Sequence, residues 1–155
     1  MLAALVLALG CGRQEDPLRE APRARPRSFG PPGDYPMGVT YDSDARLFIV
    51  KHEVGGETRM WAFLRTVPYG PGDLQWNEQD QIFHDRNRQR RYDINGYPLH
   101  TDPDPPIVPP DPPASMRRRK IELERATGNI MISMFADVHP RDWDDRRSGA
   151  YIVVP

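Results

Sequence analysis

The chain has 155 residues, 38% of them hydrophobic and 28% charged, with a formal net charge of −1. That is room for one modest domain, and the even charge balance gives no basic excess that would point to nucleic acid. Eighteen prolines and twelve glycines exclude a helix bundle and favour a loop-rich, all-β body.

The chain opens on ten residues, MLAALVLALG, followed at once by its one cysteine, Cys11. Such a run is too short to span a bilayer but has the length of the apolar part of a secretory signal. A lone cysteine forms no internal disulfide and no thiolate cluster. Its place after small residues fits a bacterial lipoprotein signal, with cleavage before Cys11 and acyl chains on the new N-terminus. No basic residue precedes the run, and Ala8 stands three residues before Cys11 where leucine is usual. The plainer alternative is a short apolar N-terminus with a chance cysteine. Residues 12 to 34 are polar, charged and proline-rich, cannot bury a core, and read as a disordered tether. The expected arrangement is a signal over 1–10, a tether over 11–34 and a β domain over 35–155, held on the extracytoplasmic face of a bacterial membrane.

Within the body, Met37 to Tyr41 can form a short strand ending in the turn residues Asp42, Ser43 and Asp44. Leu47 to Val50 and Met60 to Leu64 are apolar runs of strand length around Gly55-Gly56, which predicts an antiparallel hairpin buried on both faces. Pro68, Gly70, Pro71 and Gly72 make Val67 to Asp73 a loop. Leu74 and Trp76 begin a strand, Asn77 to Asp80 is a turn, and Ile82-Phe83 starts the return. A second loop carries Arg86, Arg88, Arg90 and Arg91, before the turn Asp93 to Gly96, where the glycine can adopt a left-handed conformation. Residues 101 to 113 hold seven prolines and predict a stiff extended loop. Ile121 and Leu123 alternate with Glu122 and Glu124, as in a strand with one buried face. Thr127-Gly128-Asn129 turns that strand into Ile130-Met131-Ile132. A loop around Trp143 and a last strand, YIVV, close the chain.

The two central loops share a spacing. VPYGPGDLQWNE and FHDRNRQRRYDING, with the proline run behind them, resemble the loops of the Rieske [2Fe–2S] family: C-x-H-x-G-C with a following tryptophan, C-x-C-H-G-S-x-Y/F-D with a downstream glycine, then a proline-rich loop. The resemblance spans roughly Tyr35 to Ile132, with Trp76, Phe83, Tyr92, Asp93 and Gly96 at framework positions. It implies a fold of small antiparallel sheets bearing two ligand loops, as in respiratory quinol–cytochrome reductase subunits. The ligands themselves differ. The first loop has Val67 and Tyr69 at its cysteine and histidine positions, and the second has Asp85 and Arg88. The optional cysteine pair of respiratory members falls on Gly72 and Asn87. A Rieske cluster needs two thiolates and two imidazoles; valine offers no donor atom and arginine stays protonated. No [2Fe–2S] cluster, and no other cofactor, is therefore expected.

A rebuilt metal site would have to draw on His84, Asp85, Tyr69 and His100, and four arginines nearby oppose it. Hydrogen-bonded or solvated histidines are the plainer expectation. Arg86, Arg88 and Arg90 would share one side of an extended loop and, with Arg91, could form a docking face for an acidic protein or anionic headgroups. The alternative is a solvated run paired with Asp73, Asp85 and Asp93. The same choice applies to Arg117 to Lys120, and Trp143 either anchors a partner or packs on the body. No catalytic triad, phosphate loop, carboxylate pair or small-molecule substrate is recognisable. The resemblance, with its ligands lost, thus implies a membrane-anchored, non-redox accessory subunit of a membrane electron-transfer complex, the alternative being an electron carrier with unusual ligation.

Overall fold

Leu47–Val54 (β3) and Glu57–Leu64 (β4) pair in register from Leu47 opposite Leu64 to Val54 opposite Glu57, and the rest of the molecule is laid against this hairpin. The computed structural model describes residues 25–68, 72–85, 90–99 and 115–154. Among these the fold is all-β: every strand pairing is antiparallel, and the helical elements are three-residue 3-10 turns.

The other strands are Arg27–Ser28 (β1), Gly38–Asp42 (β2), Gln75–Asn77 (β5), Ile82–Asp85 (β6), Arg90–Tyr92 (β7), Arg118–Leu123 (β8), Ile130–Val138 (β9) and Ile152–Val154 (β10). A seven-stranded sheet runs β1-β9-β8-β4-β3-β2 with β10 added beside β4, and a separate three-stranded sheet runs β5-β6-β7. Strand β4 divides its outer edge between two partners. Thr58 to Met60 pair with β10, and Ala62-Phe63 pair with β8.

Alternation along the hairpin explains why two adjacent apolar runs are both needed. Successive side chains of a strand point to opposite faces. Leu47, Ile49, Met60 and Ala62 fall on one face with Ile121, Ile130, Ile132, Ile152 and Val154. Phe48, Val50, Trp61 and Phe63 fall on the other with Phe83, Tyr92, Trp143 and Tyr151. The hairpin is thus a partition between two cores, buried on both faces as its composition predicts. Each large apolar side chain so buried contributes about 1.5–3 kcal/mol relative to exposure.

The structure departs from the sequence reading at three places. Arg27–Ser28 pair with Ile132 and Met131, Phe29 and Tyr35 pack on the aliphatic core, and Lys51 donates to the carbonyls of Pro32 and Tyr35. The folded body therefore takes in the last part of the stretch read as a disordered tether; two residues of backbone pairing suffice where composition alone suggests none. Strand β8 begins at Arg118, so within the basic run Arg118 and Arg119 are buried in the sheet while Arg117 and Lys120 stay exposed, and Leu123 on its presumed buried face is exposed. In β9 the register shifts between Arg119 opposite Asp137 and Ile121 opposite Ile132, leaving Phe135 76% exposed on the displaced stretch. Residues 1–24, which include Cys11, and the proline run 100–114 lie outside the described residues.

Candidate functional site

The small sheet places in one row three of the residues read as a framework for the two loops. Trp76 is opposite Phe83, and Phe83 is opposite Tyr92. Phe83 and Tyr92 are fully buried and Trp76 is half-buried. The Phe83 ring lies 4.7 Å from Trp76, 5.1 Å from Phe48 and 5.7 Å from Phe63. Offset and edge-on ring pairs of this kind add about 0.5–1.5 kcal/mol each beyond burial. This row fastens the small sheet to the β3–β4 hairpin.

The first loop leaves β4 through a narrow neck. Leu74 N–H donates to the Arg65 carbonyl at 2.7 Å, Thr66 and Asp73 form a bridge, and Val67 N–H donates to the Gly72 carbonyl at 3.1 Å. Asp73 holds the outside of that neck, accepting from Arg46 at 2.7 Å and facing Arg65 at 3.4 Å. The aspartate read as a partner for the second-loop arginines is therefore paired within the neck of the first loop. Beside the neck opens a cavity of about 310 Å³ between β2 and β5, with Tyr41, Phe48, Leu74 and Trp76 in its walls.

Inside the neck, two of the four positions that the sequence reading aligns with cluster ligands come close together. A Cβ placed on Gly72 would lie 3.1 Å from Val67 Cγ2 and 3.3 Å from Asp85 Oδ1. Val67 belongs to the aromatic core and Asp85 is 1% exposed. Gly72 has φ 150°, inside the range that favours glycine, so both space and backbone require it. The meeting point is filled by a methyl group, a carboxylate and a glycine. Tyr69 and Arg88, the other two positions, lie outside the described residues, as do Arg86 and Asn87.

The turn after β7 forms as its sequence predicts. Gly96 N–H donates to the Asp93 carbonyl at 2.9 Å, and the Asp93 carboxylate accepts from Tyr97 N–H at 2.8 Å. Gly96 takes φ 85°, and a Cβ there would come within 2.6 Å of the Phe63 ring. Asp93 is thus a turn-forming acceptor, and Gly96 is the point where the loop touches the hairpin.

Arg90 is half-buried and Arg91 exposed; as neighbours on β7 they point to opposite sides of the small sheet. A single face bearing both is therefore not what the strand provides. His84 is half-buried, opposite Arg91 in the register. Among the described residues no group of three His, Cys, Asp or Glu side chains could hold a metal ion; His100 lies outside them.

The second basic run holds the larger surprise. Arg119 donates to Asp137 at 2.6 Å, and Arg117 reaches the other oxygen of the same carboxylate at 2.6 Å. Arg118 is 5% exposed, its guanidinium carbon 4.2 Å from the Trp143 ring centre and 5.2 Å from those of Trp61 and Phe63. It donates to the carbonyls of Asn95, at 2.9 Å, and Trp143, at 3.4 Å. Burial lowers its pKa to about 10, with Tyr97, Asp144 and Asp93 pulling the other way, so it remains charged at neutral pH. Trp143 itself is buried against the body, its indole N–H bonded to the Val138 carbonyl at 3.0 Å. Nothing in the local sequence distinguishes Arg118 from its neighbours, because the rings around it come from Trp61, Phe63 and Trp143, far away in the chain.

No protein-family model matches the chain, and no curated protein matches it.

Proposed function

We propose that this protein is a membrane-anchored domain of Rieske-like architecture in which packing has replaced the [2Fe–2S] ligands. In this reading it serves as a non-redox accessory or structural subunit of a membrane electron-transfer complex of the quinol–cytochrome reductase type. The observation that carries the reading is the convergence of Val67 and Asp85 on Gly72 at the neck of the first loop. These are the positions at which the resemblance would place one cysteine of each loop. Around them the framework row Trp76, Phe83 and Tyr92 is intact and holds both loops on the hairpin. The donor set does not suit a cluster: a valine methyl has no lone pair to give, and a single carboxylate is not a pair of thiolates. No redox step is therefore assigned to these residues.

What remains to the loops is shape and charge. Arg91, exposed on β7, would give this end of the molecule an electropositive tip that meets an acidic surface, with the docking rate falling as salt rises. Anchoring through a lipid on Cys11 would hold the tip near a membrane-bound partner. The reading is tested by isolating the affinity-tagged full-length protein from gently solubilised membranes. Haem absorbance and quinol–cytochrome reductase subunits should accompany it at low salt and be lost at high salt. Recovery of the protein alone at low salt, from membranes that contain such a complex, would count against the subunit role.

A further inference from the structure

The buried Arg118 guanidinium stands beside a space of its own. A cavity of about 170 Å³ lies against it, walled by Trp61, Trp143, Tyr97 and Tyr151, with Arg59 and Asp144 among the residues around it. By its share of liquid volume that is room for roughly six waters. Independently of the role proposed for the two loops, we propose that this cavity binds a small organic carboxylate with a flat apolar body, held by Arg118.

Three observations support it. First, Arg118 is a buried charge with no ion-pair partner at contact distance among the described residues; Asp144, Asp93 and Tyr97 act on it only from further away. Among the described residues no carboxylate lies within ion-pair distance of it, in contrast to Arg117 and Arg119, which share Asp137. Its two acceptors are neutral backbone carbonyls, and a guanidinium has five N–H donors. Its two terminal nitrogens each spend one N–H on these carbonyls and keep a second. A carboxylate is the ligand whose geometry suits a guanidinium fork and whose charge balances it.

Second, the walls select the body of the ligand. Trp61, Trp143, Tyr97 and Tyr151 give flat apolar surfaces, and Tyr97 and Trp143 rings pack 4.9 Å apart. A single ring or a short branched chain fits such walls, whereas a phosphate or sulfate would leave them wet. Third, the neighbouring charges are placed unequally. Arg59, stacked 4.5 Å over Tyr151, is already paired with Glu57 at 3.0 Å. Asp144 is exposed, so its repulsion of an incoming anion is screened by water, while the attraction of the buried Arg118 is not.

The test is a titration of the full-length protein with sodium benzoate at constant ionic strength, read by calorimetry and by tryptophan fluorescence, with benzamide as the neutral isostere. Benzoate should bind saturably at one site, with a Kd on the order of millimolar, and benzamide at least tenfold more weakly. Asp144→Asn, a change to an exposed side chain, should tighten benzoate about two- to fivefold, as expected for removing an exposed like charge. Arg118→Lys, which keeps the charge but not the fork, should weaken benzoate at least tenfold without changing the benzamide response. Equal binding of the two ligands, no saturable benzoate signal, or no change on Asp144→Asn would each overturn the assignment. The last comparison holds even if Arg118→Lys does not fold.

Discussion

The two cores on either side of the β3–β4 hairpin are filled with different chemistry. Toward β8, β9 and β10 the packing is aliphatic, Ile121, Ile130, Ile132 and Ile152 against Leu47, Ile49 and Met60. Toward the small sheet it is aromatic, built from Phe48, Trp61, Phe63, Phe83, Tyr92, Trp143 and Tyr151. The first core joins strands that are already hydrogen-bonded in one sheet, so short branched side chains fill the space between them. Among the described residues the second joins elements outside that sheet's ladders, a three-stranded sheet and the loop around Trp143, to the hairpin. Large rings bridge that wider gap, and their polar edges tie down backbone, as the Trp143 indole does at the Val138 carbonyl. Regular pairing carries the large sheet; ring contacts carry the site-bearing half.

This contrast can be broken from the aromatic side. Phe83→Ala removes the ring that touches Trp76, Phe48 and Phe63, and should cost about 3–5 kcal/mol in denaturant unfolding. Its effect on amide exchange should reach furthest in β5 to β7, since that ring joins the sheet to the hairpin. Ile132→Val, in the aliphatic core, should cost only about 0.5–1.5 kcal/mol, with exchange loss spread evenly over the large sheet. Equal protection loss in both sheets for Phe83→Ala would show that the rings do not fasten the small sheet separately.

Two glycines sharpen the same point. Gly96→Ala forces a methyl group against Phe63 at a left-handed residue, and should cost about 2–5 kcal/mol from strain and overpacking combined. Gly128 also has positive φ, 74°, but nothing lies within 4 Å of its would-be Cβ. Gly128→Ala should therefore lose only about 1–2 kcal/mol, the backbone part alone. Comparing their thermal melts separates conformational cost from contact with the aromatic core.

Ion pairs supply the smaller effects. Asp137→Ala strips the carboxylate from both Arg117 and the nearly buried Arg119, whose pKa burial already lowers. Loss of about 1–3 kcal/mol is expected, since a buried guanidinium is left unsatisfied. Asp73→Asn, at the exposed neck of the first loop, should cost under about 1 kcal/mol and lose even that at high salt. A large, salt-independent effect of Asp73→Asn would show that the neck relies on that carboxylate rather than on its backbone bonds.

Much of this half of the molecule is legible in the sequence because its signals are local. The Gly55-Gly56 turn between two apolar runs specifies the hairpin, and Asp93 to Gly96 specifies the turn that meets Phe63. The framework residues Trp76, Phe83 and Tyr92 can be placed by loop spacing, yet their lining up across three strands is a matter of register, which spacing alone leaves open. Arg118 is beyond reach for a plainer reason. Within Arg117 to Lys120 every residue is basic, and what separates a buried arginine from an exposed one is a set of rings 25 to 57 positions away along the chain. Strand β1 escapes composition in the same manner, since Arg27 and Ser28 are polar and are held by backbone pairing to β9.

The proposed replacement of metal by packing at the neck between the two loops rests on Val67 and Asp85 lying against Gly72. The most direct measurement is iron and acid-labile sulfide analysis of the full-length protein purified without chelator, with an electron paramagnetic resonance spectrum after dithionite reduction. Iron and sulfide far below one equivalent, no rhombic signal and an unchanged fold in the presence of chelator are the predicted results. Two equivalents each of iron and sulfide with a rhombic reduced-state signal would contradict the account.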